Sequence, residues 1–326
     1  MDTYDLLTRN ASEVVTDEEL RTVAADPEGK RAYVGYEPSG VLHIGHLLTA
    51  NKLIDLQDAG LEVVVLLADV HAYLNGKGTF EEIRATAEQM KAQFVAYGLD
   101  PEQTEFRYGS EFQLDEEYVL DLHTIALETS LNRAKRAMAE IQSGETITVS
   151  HVVYPLMQAL DIEYLDLDLA VGGLDQRKVH MLAREELPSL GYEVRPAIHT
   201  PILGDLETGE GKMSSSGGVT ISMEDSREAL EEKVNAAFCP PTPDPEGDKV
   251  NPVFQLFQYQ IFPRVDRVVV ERPEKYGGNL EYDGYEGLAG DLESGELHPA
   301  DAKSALASQL DTLIAPGRER LEELRD

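Results

Sequence analysis

The run Tyr33-Val34-Gly35-Tyr36-Glu37-Pro38-Ser39-Gly40-Val41-Leu42-His43-Ile44-Gly45-His46 decides how the rest of the chain is read. The apolar and aromatic residues from Ala32 to Tyr36 suit a buried parallel strand, and Pro38-Ser39-Gly40 is turn chemistry. Leu47, Leu48, Leu53, Ile54 and Leu56 then recur at helical spacing until Ala59-Gly60 stops the helix. His43 and His46 fall one turn apart on one face, near the helix N-terminus. Unpaired backbone N–H groups and a positive dipole end favour phosphate there, and Gly45 leaves room for a flat group. Two histidines at this spacing are more often part of a capped surface helix, so the phosphate reading has to be carried by the rest of the chain.

Working outward, Leu61 to Leu67, apolar at every position but Glu62, is a run fit for a strand buried on both faces, which completes a βαβ unit. Asp69 and His71 follow at its carboxyl end, where open parallel sheets bind ligands; a histidine of a solvated loop is the alternative. Thr79 to Tyr97 reads as an amphipathic helix closed by Gly98, and Phe106 to Tyr108 as a short strand. Asp115 to Ile141 carries one long helical pattern holding Arg133, Lys135 and Arg136. From Val149 the helical spacing puts Tyr154, Gln158 and Asp161 on one face, costly to bury unless they meet a polar ligand or each other. Leu167 to Val171 predicts a strand, and Gly172-Gly173 turns into a helix whose first turn holds Gln176 and Arg177. A short strand near Ala197-Ile198 leads into the Gly- and Ser-rich loop of Lys212. Residues 1 to 30 read as helical, with a helix start at Thr16. After Ser226 the chain becomes helices separated by proline-rich links, with Arg264, Arg267, Arg272 and Lys275 gathered near Tyr276.

With 326 residues, 42% of them hydrophobic, the chain can build one large domain and a smaller one. Its 61 acidic and 28 basic residues give a formal charge of −33, spread along the sequence rather than held in a tail. Dispersed carboxylates with intact apolar periodicity indicate a surface kept hydrated in concentrated salt, as in halophile proteins. Such a charge ordinarily opposes nucleic-acid binding, which draws on Lys and Arg against phosphate, but at molar salt that contribution is mostly gone. The single cysteine, Cys239, excludes an internal disulfide and a multi-cysteine metal site. No signal segment or long apolar run is present, which predicts a cytoplasmic protein.

His43-Ile44-Gly45-His46 resembles the HIGH signature of class I aminoacyl-tRNA synthetases, and Lys212-Met213-Ser214-Ser215-Ser216 resembles its partner, KMSKS, with Ser for the second lysine. The words Tyr33 to Gly40, Tyr154-Pro155-Leu156-Met157-Gln158 and Val171 to Lys178 are similar to the archaeal and eukaryotic tyrosyl type, and the resemblance runs over nearly the whole chain. It implies an α/β fold, a Rossmann-like doubly wound parallel sheet, in a catalytic domain over 1–222. A helical insertion at about 115–148 would form a homodimer interface and touch the tRNA acceptor end. A smaller, mainly helical domain over 223–326 would recognise the anticodon.

The resemblance further implies activation of L-tyrosine by ATP, with Mg²⁺ on the phosphates and no dedicated metal cage, followed by transfer to tRNA(Tyr). His43, Gly45, His46, Lys212, Ser214 and Ser215 would bind and align ATP. Tyr33 and Asp161 would hold the phenolic hydroxyl, and Glu37, Tyr154, Gln158 and Gln176 the remainder of tyrosine. Arg133, Arg136 and Arg177, with Lys135 and Lys178, would guide the acceptor stem, and Tyr276, His298 and Asp301 would read the anticodon. Three other readings remain at this point: a tryptophan–tRNA ligase, a HxGH-type nucleotidyltransferase, and a non-catalytic RNA-binding relative. Against the first, a phenol both donates and accepts whereas an indole N–H only donates, which suits the Tyr33 and Asp161 pair.

Overall fold

The computed structural model describes residues 2–138, 148–213 and 219–325. By contact the chain divides into two compact units. One comprises Met1–Gly40, Thr49–Lys91 and Leu99–Pro201; the other comprises Val41–Leu48, Ala92–Gly98 and Ile202–Asp326. The main segment of the second unit begins at Ile202, ahead of the boundary in the low 220s read from the sequence, and the unit also takes in the start of the His43 helix and a turn of a later one.

The first unit opens with α1 (Thr3–Thr8), β1 (Glu13–Val15), α2 (Asp17–Ala25) and β2 (Arg31–Tyr36). Then come α3 (Ile44–Asp58), β3 (Glu62–Leu67), α4 (Asp69–Leu74), α5 (Phe80–Tyr97) and β4 (Thr104–Tyr108), with α3 and α5 contributing to both units. After α6 (Glu116–Glu128), α7 (Leu131–Met138) and α8 (Val149–Tyr164), the unit closes with β5 (Leu169–Gly173), α9 (Arg177–Glu186) and β6 (Ala197–Thr200). The sheet order is β1-β6-β5-β2-β3-β4, parallel throughout except for β1, which pairs antiparallel with β6. The chain runs outward from β2 through β3 to β4, then returns to the other side of β2 as β5. That reversal makes the carboxyl ends of β2 and β5 the switch point at which open α/β sheets bind ligands. Tyr33 lies opposite Val64 on β3 and Ala170 on β5, inside a core with Leu66, Ala68, Leu156 and Leu160.

Two elements of the first unit depart from the sequence expectation. The N-terminal region holds a strand, β1, whose three residues are too few to show alternation. The single helical pattern from Asp115 to Ile141 is two helices as far as it lies within the described residues, and residues 139–141 lie outside them. Thr129 is extended and the Ser130 hydroxyl accepts from Arg133 N at 3.3 Å, so one helix stops and a new one is capped at that pair.

The second unit carries α10 (Arg227–Ala236), α11 (Pro252–Leu256), β7 (Val268–Val270), β8 (Leu280–Tyr282), α12 (Tyr285–Ser294) and α13 (Pro299–Arg325). Asn251-Pro252, expected as a link, starts α11: the Asn251 side chain accepts from Phe254 N, and proline suits the first turn. The tail is one helix of 27 residues, α13, burying Ala302, Leu306, Leu310, Ile314 and Leu321 at helical spacing against α10 and β7.

Candidate active site

In the first unit, α8 sets Tyr154, Gln158 and Asp161 on one face, as its period dictates. Asp161 is fully buried. Its Oδ1 accepts from Gln113 Nε2 at 2.8 Å and from the Tyr118 hydroxyl at 2.9 Å. Its Oδ2 has no partner, and His71 Nε2, 3.9 Å away, has none either. Burial pushes the Asp161 carboxyl up to about 7, against the hydrogen bonds from Gln113 and Tyr118. Burial also pulls the His71 imidazole down to about 4. The Tyr33 hydroxyl is raised by burial and by the Asp161 carboxylate, against a hydrogen bond from Gln158.

At the carboxyl end of β2, Glu37 Oε1 accepts from the Tyr154 hydroxyl at 2.7 Å and from Asn75 Nδ2 at 2.6 Å. Beyond β5, Gln158 Nε2 donates to Gln176 Oε1 at 3.0 Å. A Cβ on Gly172 would stand 3.0 Å from Gln176 Cβ, so glycine there lets Gln176 fold back over the strand end. Among the described residues, ten buried side-chain polar atoms lack a hydrogen-bond partner, and five belong to this cluster: Asp161 Oδ2, His71 Nε2, Gln113 Oε1, Gln158 Oε1 and Asn75 Oδ1. Each such atom costs about 1–3 kcal/mol, so their gathering at a switch point makes this cluster the candidate place for a polar ligand.

The two signature histidines belong to the second unit. His43 stands just ahead of α3 rather than inside it. Its Nδ1 accepts from Gly45 N at 3.1 Å, and His46 Nδ1 accepts from His43 N at 3.3 Å. Both Nδ1 atoms are thus acceptors, which puts the proton of each neutral ring on Nε2 as a donor. The rings are close, with centroids 3.8 Å apart, and a Cβ on Gly45 would stand 2.9 Å from His43 Cε1. Gly45 therefore serves first to seat the His43 ring. Burial and the charge of Lys212 pull His43 down to about 4; burial, His43 and Lys212 pull His46 well below the ordinary histidine value. Lys212 is exposed. Ser214, Ser215 and Ser216 lie outside the described residues. No group of three or more His, Cys, Asp or Glu that could hold a metal ion occurs among the described residues.

Several expected cations are already engaged. Arg133 Nε is 2.6 Å from Glu185 Oε2, and Arg177 Nε lies 2.8 Å from both carboxylate oxygens of Glu13 on β1. Arg136 and Lys135 are exposed. The positive cluster expected near Tyr276 is dispersed by local pairing. Arg267 pairs with Asp283 and Glu281, and Arg272 is buried against Glu296 and the Gly278 carbonyl. Tyr276 is exposed, with Lys275 Nζ 4.6 Å from its ring centroid. His298 and Asp301 stand at the start of α13, where His298 Nδ1 accepts from Ala300 N. Asp69 and His71 are both buried, which replaces the solvated-loop reading. The Asp69 carboxylate is spent on Ser110 N and Oγ and on Arg84, so Asp69 is a structural joint.

A family model described as class I tRNA synthetases (W and Y) matches residues 28–315. A tyrosine–tRNA ligase of Halobacterium salinarum is 76% identical over 325 residues, covering 100% of this chain and 99% of the relative. The chain belongs to the tyrosine–tRNA ligase family of class I synthetases. A crystal structure of the Archaeoglobus fulgidus tyrosyl-tRNA synthetase complexed with L-tyrosine superposes with a TM-score of 0.91 at 52% identity, covering 98% of each chain. A tryptophanyl-tRNA synthetase from Aeropyrum pernix, at 22% identity and a TM-score of 0.73, shares the fold alone. Within the tyrosine family frame, sequence reasoning missed Gln113, Tyr118 and Asn75 and left His71 undecided. The signal for Gln113 was present in the word Gly109 to Gln113, whereas Tyr118 and Asn75 carry no local mark.

Proposed function

We propose that this tyrosine–tRNA ligase family member reads its amino acid with Asp161 and Tyr33 at the phenol and with Tyr154, Gln158, Gln176 and Glu37 around the α-ammonium. The observation that carries this reading is the unpartnered Asp161 Oδ2 beside the unpartnered His71 Nε2, since a phenolic hydroxyl can donate to the first and approach the second. The activity is the ATP-dependent one of the family. The carboxylate of L-tyrosine attacks the α-phosphorus of ATP, the bond to the bridging oxygen breaks, and pyrophosphate leaves with that electron pair. A ribose hydroxyl of the tRNA terminus then attacks the tyrosyl carbonyl carbon and expels AMP. Charge spreads over phosphate oxygens in the first step, so alignment and hydrogen-bond donors do most of the work. His43 and His46 supply Nε2–H donors, and Lys212 neutralises the departing pyrophosphate together with Ser214 and Ser215. Mg²⁺ enters as the metal of ATP, carried by its phosphates.

Arg133, Arg136 and Arg177 are the acceptor-stem contacts. Tyr276 stacks on an anticodon base, and His298 and Asp301 read the first anticodon position; stacking of this kind is worth about 1–3 kcal/mol. Leu120, Leu127 and Leu131 are exposed on α6 and α7, Leu127 at 85%, and this apolar surface supports a homodimer. No helix among the described residues is long and apolar enough to cross a membrane; the cytoplasm, where tRNA is charged, is the proposed location. Pyrophosphate exchange in concentrated KCl, with each amino acid in turn, tests the reading. Tyrosine alone should support exchange; support from tryptophan, or from no amino acid, overturns it.

A further inference from the structure

The residues on either side of His43 have every backbone polar group engaged. Leu42 N donates to Gln93 Oε1 at 3.0 Å, and the Leu42 carbonyl accepts from Met223 N at 2.9 Å. Ile44 N donates to the Ile221 carbonyl at 2.8 Å, and the Ile44 carbonyl accepts from Gln260 Nε2 at 3.0 Å. Met223 and Ile221 belong to one short segment, bridged to His43 through Ser222. Gln93, on α5, is the side chain that fixes the N-terminal side, and it is only 1% exposed. Its Nε2 donates to Glu224 Oε1 at 2.6 Å, and Glu224 accepts from Arg325 Nη1 at 3.1 Å and Nη2 at 2.6 Å at the end of α13.

A primary amide could sit in this slot either way round. Only one orientation works: the oxygen must face the Leu42 N–H and the NH₂ must face a carboxylate. The charge of Glu224, held by Arg325, thereby decides which end of Gln93 meets the backbone beside His43. A buried helix position that only had to pack would be filled as well by leucine, without an unmet amide to satisfy.

We propose that Gln93, oriented by Glu224 and Arg325, is a positioning residue that holds the His43 imidazole in register for the phosphates of ATP. This rests on the nucleotide role of His43 proposed above. Displacement of an aligning group by about 1 Å can cost roughly 100-fold in rate, so a loss of that order in kcat/KM for ATP is expected from Gln93→Glu, which sets two carboxylates against each other. Gln93→Ala, which removes both the acceptor for Leu42 N and the donor to Glu224 but adds no like charge, should cost about tenfold. Glu224→Gln keeps an acceptor but discards the charge that turns the amide, and should raise KM for ATP by a smaller factor. The reciprocal exchange, Gln93→Glu with Glu224→Gln, restores a donor facing an acceptor and should recover most of the activity of the single Gln93→Glu variant.

The experiment measures pyrophosphate exchange at varied ATP and, separately, tyrosine binding by calorimetry, on the full chain in concentrated KCl. The positioning role requires the ATP parameters to change while the Kd for tyrosine stays within about twofold, since the tyrosine residues belong to the other unit. Unchanged ATP parameters in Gln93→Ala and Glu224→Gln would overturn it. So would a loss of tyrosine binding in equal proportion, or failure of the reciprocal exchange to recover what Gln93→Glu lost. Wild-type protein that shows no tyrosine-dependent exchange refutes the activity reading instead, and the same assay reveals that before any variant is made.

Discussion

Around Asp161, buried side chains keep lone pairs and protons that none of the described residues takes up, whereas around His43 the backbone on both sides is fully bonded. The first arrangement leaves polar atoms for a ligand to meet, as the proposed reading of tyrosine requires. The second is complete by itself and presents two neutral imidazoles whose donors are already aimed by their own Nδ1 bonds. Selectivity comes from leaving groups unsatisfied; alignment comes from leaving nothing free to move.

The comparison can be broken at either end. The largest effect should come from His46→Ala, which removes one aligned donor. We expect kcat for pyrophosphate exchange to fall by roughly 10²–10³ while calorimetry finds the Kd for tyrosine unchanged. A matching loss of tyrosine affinity would mean that the two sets of residues are not separable. Asp161→Asn comes next, because it keeps the volume and removes the charged acceptor: about 3 kcal/mol, or roughly 150-fold, in kcat/KM for tyrosine, with KM for ATP near the wild-type value. The same variant should lose much of its preference for tyrosine over phenylalanine. Preference of that kind reaches roughly 10⁵ where a site is built to hydrogen-bond the hydroxyl, a figure taken from a tyrosine-activating synthetase as the general example.

The smallest effect is in pH. With its carboxyl at about 7 in the empty site, Asp161 is largely protonated below neutrality. A phenol donating to Oδ2 favours the carboxylate and lowers that value on binding. Tyrosine binding between about pH 6 and 7 should therefore release a proton, and affinity should fall by at most about tenfold per unit as pH drops through that window. Calorimetry in two buffers of different ionisation enthalpy reads the proton directly, and uptake or no exchange would contradict the assignment. His43, at about 4, stays neutral across the same window, so the nucleotide side should add no titration of its own.

Much of this site was legible because it follows local periods. The strand, turn and helix around Gly35 to Ile54 announced themselves through a buried run, a Pro-Ser-Gly turn and helical spacing, and α8 placed Tyr154, Gln158 and Asp161 on one face for the same reason. Partners supplied by distant segments were not legible. Gln113 and Tyr118 reach Asp161 across 48 and 43 residues of sequence; the word Gly109 to Gln113 marks the first, and nothing local marks Tyr118. The partners of the cations were not legible either. Arg133, Arg177 and Arg272 stand out in an acidic chain, and Glu185, Glu13 and Glu296 pair with them. With 61 acidic residues available, an arginine readily finds a carboxylate at home, and its spacing in the sequence cannot say which. The break between α6 and α7 is an intermediate case, since Thr129-Ser130 is a capping pair that the uninterrupted apolar pattern overrode.

By itself the sequence determined the strand, turn and helix around His43, the face on which the pocket side chains of α8 lie and the two signatures, all of which depend on neighbours within a few residues. Only the tertiary structure decided which polar atoms near Asp161 stay unpaired, and that Gln93, Glu224 and Arg325 hold the backbone beside His43. Burial and hydrogen bonding depend on what arrives from far along the chain, and no local period encodes that.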